Sequence, residues 1–307
     1  RIGVESSVFK GAKADIQAQL TAIRADLDAS LMDDYGLTDL PAFRASHKPF
    51  HWYVEFNSVL ANGGFDVIVG NPPYVEYSKV RKQYTVRQYE TERCGNLYVF
   101  TMERTLYLTR KTGRFGLIVP IALISVSDTV EAREMLERSV KTAWIANFAI
   151  RPAKLFEGVE QRLSIYVGKF IGEQPRIYST KYNQWYVDER PTLLYKLEYT
   201  QIQDIASRIS VPKTGNNIAS DIIRKVFQFR ERTVAYEIRV KGNYKLYFHR
   251  TPGYWIRIMD FAPYFKSPTA DRSIHHIREL DLSNDQIGKF IGCVVSSSLY
   301  FFWFFAV

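Results

Sequence analysis

The stretch FDVIVGNPPY, Phe65–Tyr74, combines a strand signal with an abrupt stop. Its β-branched run, Val67–Val69, predicts a buried central strand of a parallel sheet that ends at Gly70. Two prolines follow, and neither can donate a ladder hydrogen bond, so the strand cannot continue through them. Open α/β sheets bind ligands beyond the carboxyl ends of their strands. We therefore expect the loop Asn71–Tyr74 to carry the functional site.

The loop presents groups that suit the methylation of a planar amine. The side-chain oxygen of Asn71 and the backbone carbonyl of Pro72 can both accept hydrogen bonds from an NH2 group. Such bonds favour a tetrahedral nitrogen whose lone pair points at a methyl donor. Pro73 stiffens the loop, and the ring of Tyr74 can stack on an aromatic substrate. An ordinary Pro-Pro turn after a strand is the alternative interpretation.

The tetrapeptide Asn71–Tyr74 resembles the catalytic loop of amino-methyltransferases that use S-adenosylmethionine. The form with Asn and Tyr is similar to that of the adenine-N6 DNA methyltransferases. Two flanking sequences, KPFHW at Lys48–Trp52 and GGFDVIVGNPPY at Gly63–Tyr74, resemble the methyltransferase part of fused type II restriction-modification enzymes. The resemblance implies catalytic roles for Asn71, Pro72, Pro73 and Tyr74.

The resemblance also implies an α/β fold class. The expected architecture is the C-terminal half of a Rossmann-like methyltransferase sheet, with its first strands missing, followed by the start of a DNA target-recognition domain. The predicted parts are a helical connector or insertion at 1–56, a partial catalytic domain at 57–172, a linker at 173–204 and a partial target-recognition domain at 205–307.

Composition is consistent with a globular protein that has an anionic partner. The 307 residues are 46% hydrophobic, which is enough for a large core and two domains. The net charge of +9, together with 20 Tyr, 20 Phe and 5 Trp, suits nucleic acid. The two cysteines, Cys94 and Cys293, form neither a disulfide framework nor a zinc motif, which favours a reduced cytoplasmic setting.

Periodicity places further elements along the chain. Apolar residues three and four apart predict an amphipathic packing helix at Ala14–Met32. After the loop, the predicted elements are a helix at Asn96–Thr109, a turn at 110–113, a strand at Arg114–Pro120, a helix at Ser127–Val140, and strands at Trp144–Ile150 and Leu163–Phe170.

Basic and aromatic residues supply candidates for DNA contact. Lys79, Arg81 and Lys82 follow the loop, where they would hold phosphates beside an extruded base, or else form a solvated charged face. A second group lies around a Pro-Gly turn: Arg250, Tyr254, Trp255 and Arg257. Phe156 matches the position at which the family places a second aromatic against the flipped base; packing of Phe156 into the core is the alternative.

No metal site is predicted. His47 and His51 are separated by Pro49, which disrupts a shared helix face. His275 and His276 are adjacent, so their side chains diverge, and no cysteine cluster lies near them.

The ends of the sequence carry two expectations. The uncharged stretch Phe290–Val307 contains three serines and a glycine and is interpreted as a buried helix rather than a membrane span. The start at Arg1 without Met, and the absence of an apolar leader, suggest an internal fragment.

The cofactor turn of the family is missing from the sequence. A glycine-rich turn after an early strand normally precedes the catalytic loop, but Gly63-Gly64 leads directly into the catalytic strand. We therefore expect the S-adenosylmethionine site, and any nuclease, in segments of the same polypeptide upstream of Arg1 or otherwise outside this chain. The expected partner is double-stranded DNA, with no membrane association.

Three functional hypotheses remain open from sequence. The first is adenine-N6 methylation of DNA within a restriction-modification system. The second keeps the loop chemistry but acts on an RNA base or a protein glutamine. The third is a non-catalytic DNA-binding specificity module with a vestigial loop.

Overall fold

The computed structural model describes residues 6–207, 210–228, 242–249, 256–264 and 277–307, with side chains described from Phe9 onward. The chain divides into two compact units. The first comprises residues 1–144 and 163–176, and the second comprises 145–162 and 177–307. The α/β class predicted from the sequence is confirmed, because strands and helices alternate along the chain. The predicted domain boundaries remain a prediction.

Four helices precede the first strand: α1 (Ser6–Asp34), α2 (Leu40–His47), α3 (Trp52–Glu55) and α4 (Asn57–Ala61). The predicted helix within α1 is confirmed, but its expected packing face is wrong, because Ile16 and Ile23 are 58% and 47% exposed. Toward the end of α1, the buried carboxylate of Asp28 accepts hydrogen bonds from Arg44 and His51.

The strand that precedes the predicted site is β1 (Phe65–Gly70), which pairs in parallel with β2 (Thr109–Pro120). Parallel neighbours need a crossover connection, and α6 (Leu97–Leu108) supplies it, as the apolar pattern predicted. The short helix α5 (Tyr77–Val80) lies in the chain between β1 and α6. The predicted strand at β1 is confirmed. Its predicted burial is wrong, because Val67 and Val69 are 59% and 76% exposed.

The turn predicted at 110–113 is instead an irregularity inside β2. The register of β1 against β2 jumps from Phe65 opposite Thr109 to Val67 opposite Arg114. A side chain at Gly113 would place its Cβ 2.8 Å from the carbonyl oxygen of Asp66, so only glycine fits there. The basic-glycine sequence therefore forms a bulge within a continuous strand.

The core of the first unit lies along β2 and its antiparallel partner β4 (Leu163–Lys169). Phe115 is 1% exposed and stacks on Tyr166 with 5.7 Å between ring centroids. The ring of Phe115 occupies the space that a side chain at Gly168 would need. Two more helices, α7 (Ala122–Ser125) and α8 (Val130–Ser139), complete the described helices of this unit.

The second unit holds β5 (Arg176–Asn183), β6 (Thr200–Gln201) and most of β3 (Thr142–Phe148). The predicted strands at β3 and β4 are both present. A buried polar network links β3 to β5: the Asn147 amide donates to Ser179 Oγ and to the Thr180 carbonyl, and Asn183 donates back to the Asn147 carbonyl. These bonds satisfy side chains that would otherwise be costly to bury.

Later in the second unit, a three-stranded sheet has the order β8 (Ile258–Met259), β7 (Tyr244–His249), β9 (Ile277–Leu282). The helix α10 (Asp285–Val295) packs on it around Leu246, Leu282 and Ile291. A longer helix, α9 (Asn217–Gln228), precedes the sheet.

The C-terminal prediction of one buried helix is wrong. Residues 285–306 form two helices, α10 and α11 (Ser298–Ala306), which meet at a 65° bend. Phe290 is 69% exposed and Leu299 is 54% exposed. Over the described residues, no single helix is long and apolar enough to cross a membrane, although this bent pair passes that test by length and composition.

Candidate active site

The Asn71–Tyr74 loop begins directly after Gly70, the last residue of β1 that pairs with β2. Asn71 and Pro73 are exposed, Pro72 is buried and Tyr74 is half-buried. The buried Pro72 ring anchors the loop, while its neighbours face solvent. The structure thus brings the four predicted catalytic residues together at the carboxyl end of β1, where the sequence placed them.

The amide of Asn71 is held by its own loop. The Tyr74 hydroxyl donates a hydrogen bond to Asn71 Oδ1 and also lies 3.2 Å from the carbonyl oxygen of Ile118 on β2. Burial raises the pKa of Tyr74 to about 12, so the phenol stays protonated and remains a donor at neutral pH. The position of Ile118 was not predicted, because a backbone carbonyl leaves no sequence signal.

The end of the loop is clamped to the segment before α6. The amide of Tyr77 donates to the carbonyl of Gly95 at 2.8 Å, and the amide of Leu97 donates to the carbonyl of Val75 at 3.0 Å. These two bonds frame an antiparallel bridge between Glu76 and Asn96. The loop is therefore fixed at both ends, by β1 on one side and by this clamp on the other.

Basic side chains follow the loop directly. Lys79, Arg81 and Lys82 are all exposed. Lys79 lies 3.7 Å from the carboxylate of Glu76, a weak surface pair. Within the described ranges, no ion pair engages Arg81 or Lys82. The geometry leaves these cations accessible, but their role as phosphate contacts remains a prediction.

The remaining candidates lie in the second unit. Phe156 is half-buried in the loop between β3 and β4, and both of its predicted alternatives remain open. Arg257 is exposed, and its carbonyl accepts a hydrogen bond from the amide of His249. Arg250, Tyr254 and Trp255 lie outside the described residues.

The outer edge of β1 is open. Val67 and Val69 point away from the core, and no strand in the described part of the chain pairs with this edge. Parallel strands rich in valine and isoleucine are normally covered on both faces. The same ranges contain no cluster of three or more metal-ligating side chains.

Residues 14–156 match the family model of the Eco57I restriction-modification methylases. A predicted type II restriction enzyme and methyltransferase of Methanocaldococcus jannaschii is 32% identical over 73 residues. That match covers 24% of this chain and 6% of the relative, so the chain corresponds to a small part of it. The resemblance to methyltransferases of restriction-modification systems is confirmed.

Solved structures of restriction-modification enzymes are similar at low identity. The DrdV–DNA complex matches at 12% identity with a TM-score of 0.42, over 52% of this chain and 19% of that one. The nuclease-deleted LlaGI enzyme with a DNA substrate mimic matches at 11% identity and a TM-score of 0.40, over 51% and 19%. A type I methyltransferase subunit of Streptococcus thermophilus matches at 13% identity and a TM-score of 0.30, over 43% and 31%.

Proposed function

We propose that this chain carries the amine-binding loop of a DNA adenine-N6 methyltransferase in a restriction-modification system. The most direct support comes from two hydrogen-bond acceptors in the loop, the side-chain oxygen of Asn71 and the backbone carbonyl of Pro72. Asn71 Oδ1 is oriented by the Tyr74 hydroxyl, and no described backbone N–H donates to the carbonyl of Pro72. Two acceptors on consecutive residues match the two N–H bonds of an exocyclic amine.

The loop residues would act on the nitrogen through these acceptors. A carbonyl oxygen has two lone pairs, so Asn71 Oδ1 can accept an N–H bond while it still accepts from Tyr74. With both N–H groups drawn toward Asn71 and Pro72, the nitrogen lone pair leaves the ring π system and becomes nucleophilic. Because the acceptors are held before substrate arrives, little reorganisation is needed.

Substrate access requires an extruded base. An adenine inside a duplex cannot reach Asn71, so it must leave the stack at a cost of a few kcal/mol. Stacking on the Tyr74 ring offsets part of that cost. The exposed cations of Arg81 and Lys82 would contact flanking phosphates of the proposed partner, double-stranded DNA.

The described residues do not fit the methyl-donor half of the site. S-adenosylmethionine supplies an electrophilic methyl group when bound, but the glycine-rich turn that holds it in the family is absent from this sequence. The unpaired outer edge of β1 supports the proposal that other segments of the same polypeptide complete the sheet and hold the cofactor. The exposed Val67 and Val69 also leave one face of the strand for such segments to cover.

The test is methyl transfer from tritiated S-adenosylmethionine to mixed-sequence plasmid DNA, followed by digestion to nucleosides. We expect label in N6-methyladenine with the natural full-length protein and none with this 307-residue chain alone. Asn71→Ala should lower the full-length rate by roughly two to three orders of magnitude, the loss typical of a preorganised polar group, while DNA binding persists.

Asn62→Ala is the matched control, because Asn62 is exposed at the end of α4 and its side-chain amide donates to the carbonyl of Ser58, away from the loop. An Asn71→Ala protein that keeps near wild-type rate would refute the mechanism. Label in N4-methylcytosine, or methyl transfer to RNA or protein offered in place of the plasmid, would overturn the adenine assignment but not the loop chemistry.

The second candidate is a non-catalytic DNA-binding module. The missing donor half of the site favours it, as do the accessible cations after the loop. Salt-sensitive DNA binding by both proteins, with methyl transfer by neither, would establish this candidate in place of the first.

A further inference from the structure

A buried carboxylate holds the turn that precedes the loop clamp. Glu103, on α6, is only 1% exposed. Its Oε1 accepts a hydrogen bond from the amide of Glu90 at 3.0 Å, and its Oε2 accepts from the amide and the hydroxyl of Thr91 at 3.0 and 2.6 Å. Burying a carboxylate is costly unless donors surround it, and all three donors come from one turn.

That turn leads straight to the loop clamp. From Thr91 the chain forms a short 3-10 turn, in which the amide of Cys94 donates to the carbonyl of Thr91 at 3.0 Å. Gly95 ends the turn in the left-handed region, at φ +61°, and its carbonyl accepts from the amide of Tyr77. The contacts run from Glu103 through Thr91 and Gly95 to the end of the loop.

We propose that Glu103 is a positioning residue that sets the geometry of the Asn71–Tyr74 loop through residues 90–97. The catalytic meaning of this inference rests on the proposed function, but the structural coupling does not. The loop has one anchor in the β1–β2 ladder and a second in the clamp at 95–97. Glu103 holds the segment that forms the second anchor, so loss of its carboxylate releases one end of the loop.

Hydrogen exchange of backbone amides tests the coupling without any activity. Tyr77 and Leu97 donate the two clamp bonds, so their amides report directly on it. In the natural full-length protein, Glu103→Gln keeps the volume but turns an NH2 group toward donors. We expect roughly tenfold faster exchange at both amides, the effect of losing a charge-assisted hydrogen bond.

Two further variants keep the test decisive. Thr91→Val removes one donor to Glu103 and keeps the side-chain shape. It should therefore also speed amide exchange at Tyr77 and Leu97, but by a smaller factor, and this holds even if Glu103→Gln folds poorly. Glu137→Gln, on the exposed surface of α8, should leave the exchange rates of both amides unchanged. Faster exchange at Glu90 and Thr91 with no change at Tyr77 and Leu97 would overturn the coupling.

Kinetics then separate positioning from simple stability. We expect Glu103→Gln to lower kcat for methyl transfer roughly tenfold with little change in KM for DNA, because the loop acts on the bound amine. A change in KM alone would contradict the positioning role. If the wild-type protein transfers no methyl group while the exchange result holds, the proposed function fails and the coupling stands.

Discussion

The two edges of β1 differ sharply. On the inner edge, β1 pairs with β2, and the loop that follows is braced by the Tyr74 hydroxyl and by the clamp at 95–97. On the outer edge, no described strand pairs with β1. On one face of the strand, Val67 and Val69 are exposed, and full burial of an exposed valine is worth about 1.5–3 kcal/mol. The Asn71–Tyr74 loop is thus braced from the β2 side, whereas the outer edge of β1 has no described strand partner.

This difference teaches that a strand's composition reflects the finished sheet. Val67 and Val69 have the sequence of a covered strand, yet in this chain they face solvent. A long apolar edge is also a site for unwanted pairing between chains.

The largest difference in stability is expected between alanine substitutions at a buried and at an exposed valine. Val119, on β2, is fully buried, whereas Val69, on β1, is 76% exposed. We expect Val119→Ala to lower the free energy of unfolding by about 2 kcal/mol. Val69→Ala should change it by less than about 0.5 kcal/mol. Urea denaturation of this chain measures both values, and equal losses would mean that the face of β1 that carries Val69 is covered.

The next effect concerns the ring and the hydroxyl of Tyr74. Tyr74→Ala removes the stacking surface and should lower kcat/KM for methyl transfer roughly 10- to 100-fold. Tyr74→Phe keeps the ring and loses the hydroxyl contacts with Asn71 and with the Ile118 carbonyl, so its loss of kcat/KM should stay below about tenfold.

The pKa of Tyr74, about 12, adds a pH criterion. Because the phenol stays protonated, the pH–rate profiles of the wild type and Tyr74→Phe should run parallel up to about pH 10. Profiles that diverge near neutral pH, or a Tyr74→Phe loss as large as that of Tyr74→Ala, would assign the main role to the hydroxyl.

The smallest effect should appear among the helices before β1, where few contacts hold α1. Burial would raise the pKa of Asp28, but hydrogen bonds from His51 and Arg44 outweigh it, so the net pKa is lowered. A lowered pKa stabilises the fold above the unfolded value of about 3.9, and that stability is lost as pH falls through the folded value. Asp28→Asn should therefore cost about 1–2 kcal/mol at pH 7.

At pH 3 the difference between the wild type and Asp28→Asn should shrink. Asp26→Asn, on the exposed face of the same helix, is the control and should have little effect at either pH. Urea titrations at both pH values provide the measurement. If the difference in the free energy of unfolding stays constant from pH 7 to pH 3, the charge of Asp28 does not stabilise the packing of α1.

Local sequence signals predicted the elements nearest the loop well. The β-branched run, the two prolines and the spacing of apolar residues after Asn96 placed β1, the loop and α6. Glu103 was missed, because it lies beside Arg104 between Thr101 and Thr105 and so resembles a residue of a polar helix face. The hydrogen-bond partners of Glu103 could not be predicted from the sequence, because Glu90 and Thr91 lie in a turn that has no periodic pattern.

The sequence by itself determined the strand, its stop and the chemistry that four consecutive residues offer, because these depend on backbone restriction and side-chain type. Only the tertiary structure decided which apolar residues are covered, because burial depends on neighbours distant in the chain. It also decided that the Tyr74 hydroxyl holds the Asn71 amide and that Glu103 braces the turn before α6. Hydrogen bonds of this kind are set by how separate segments meet.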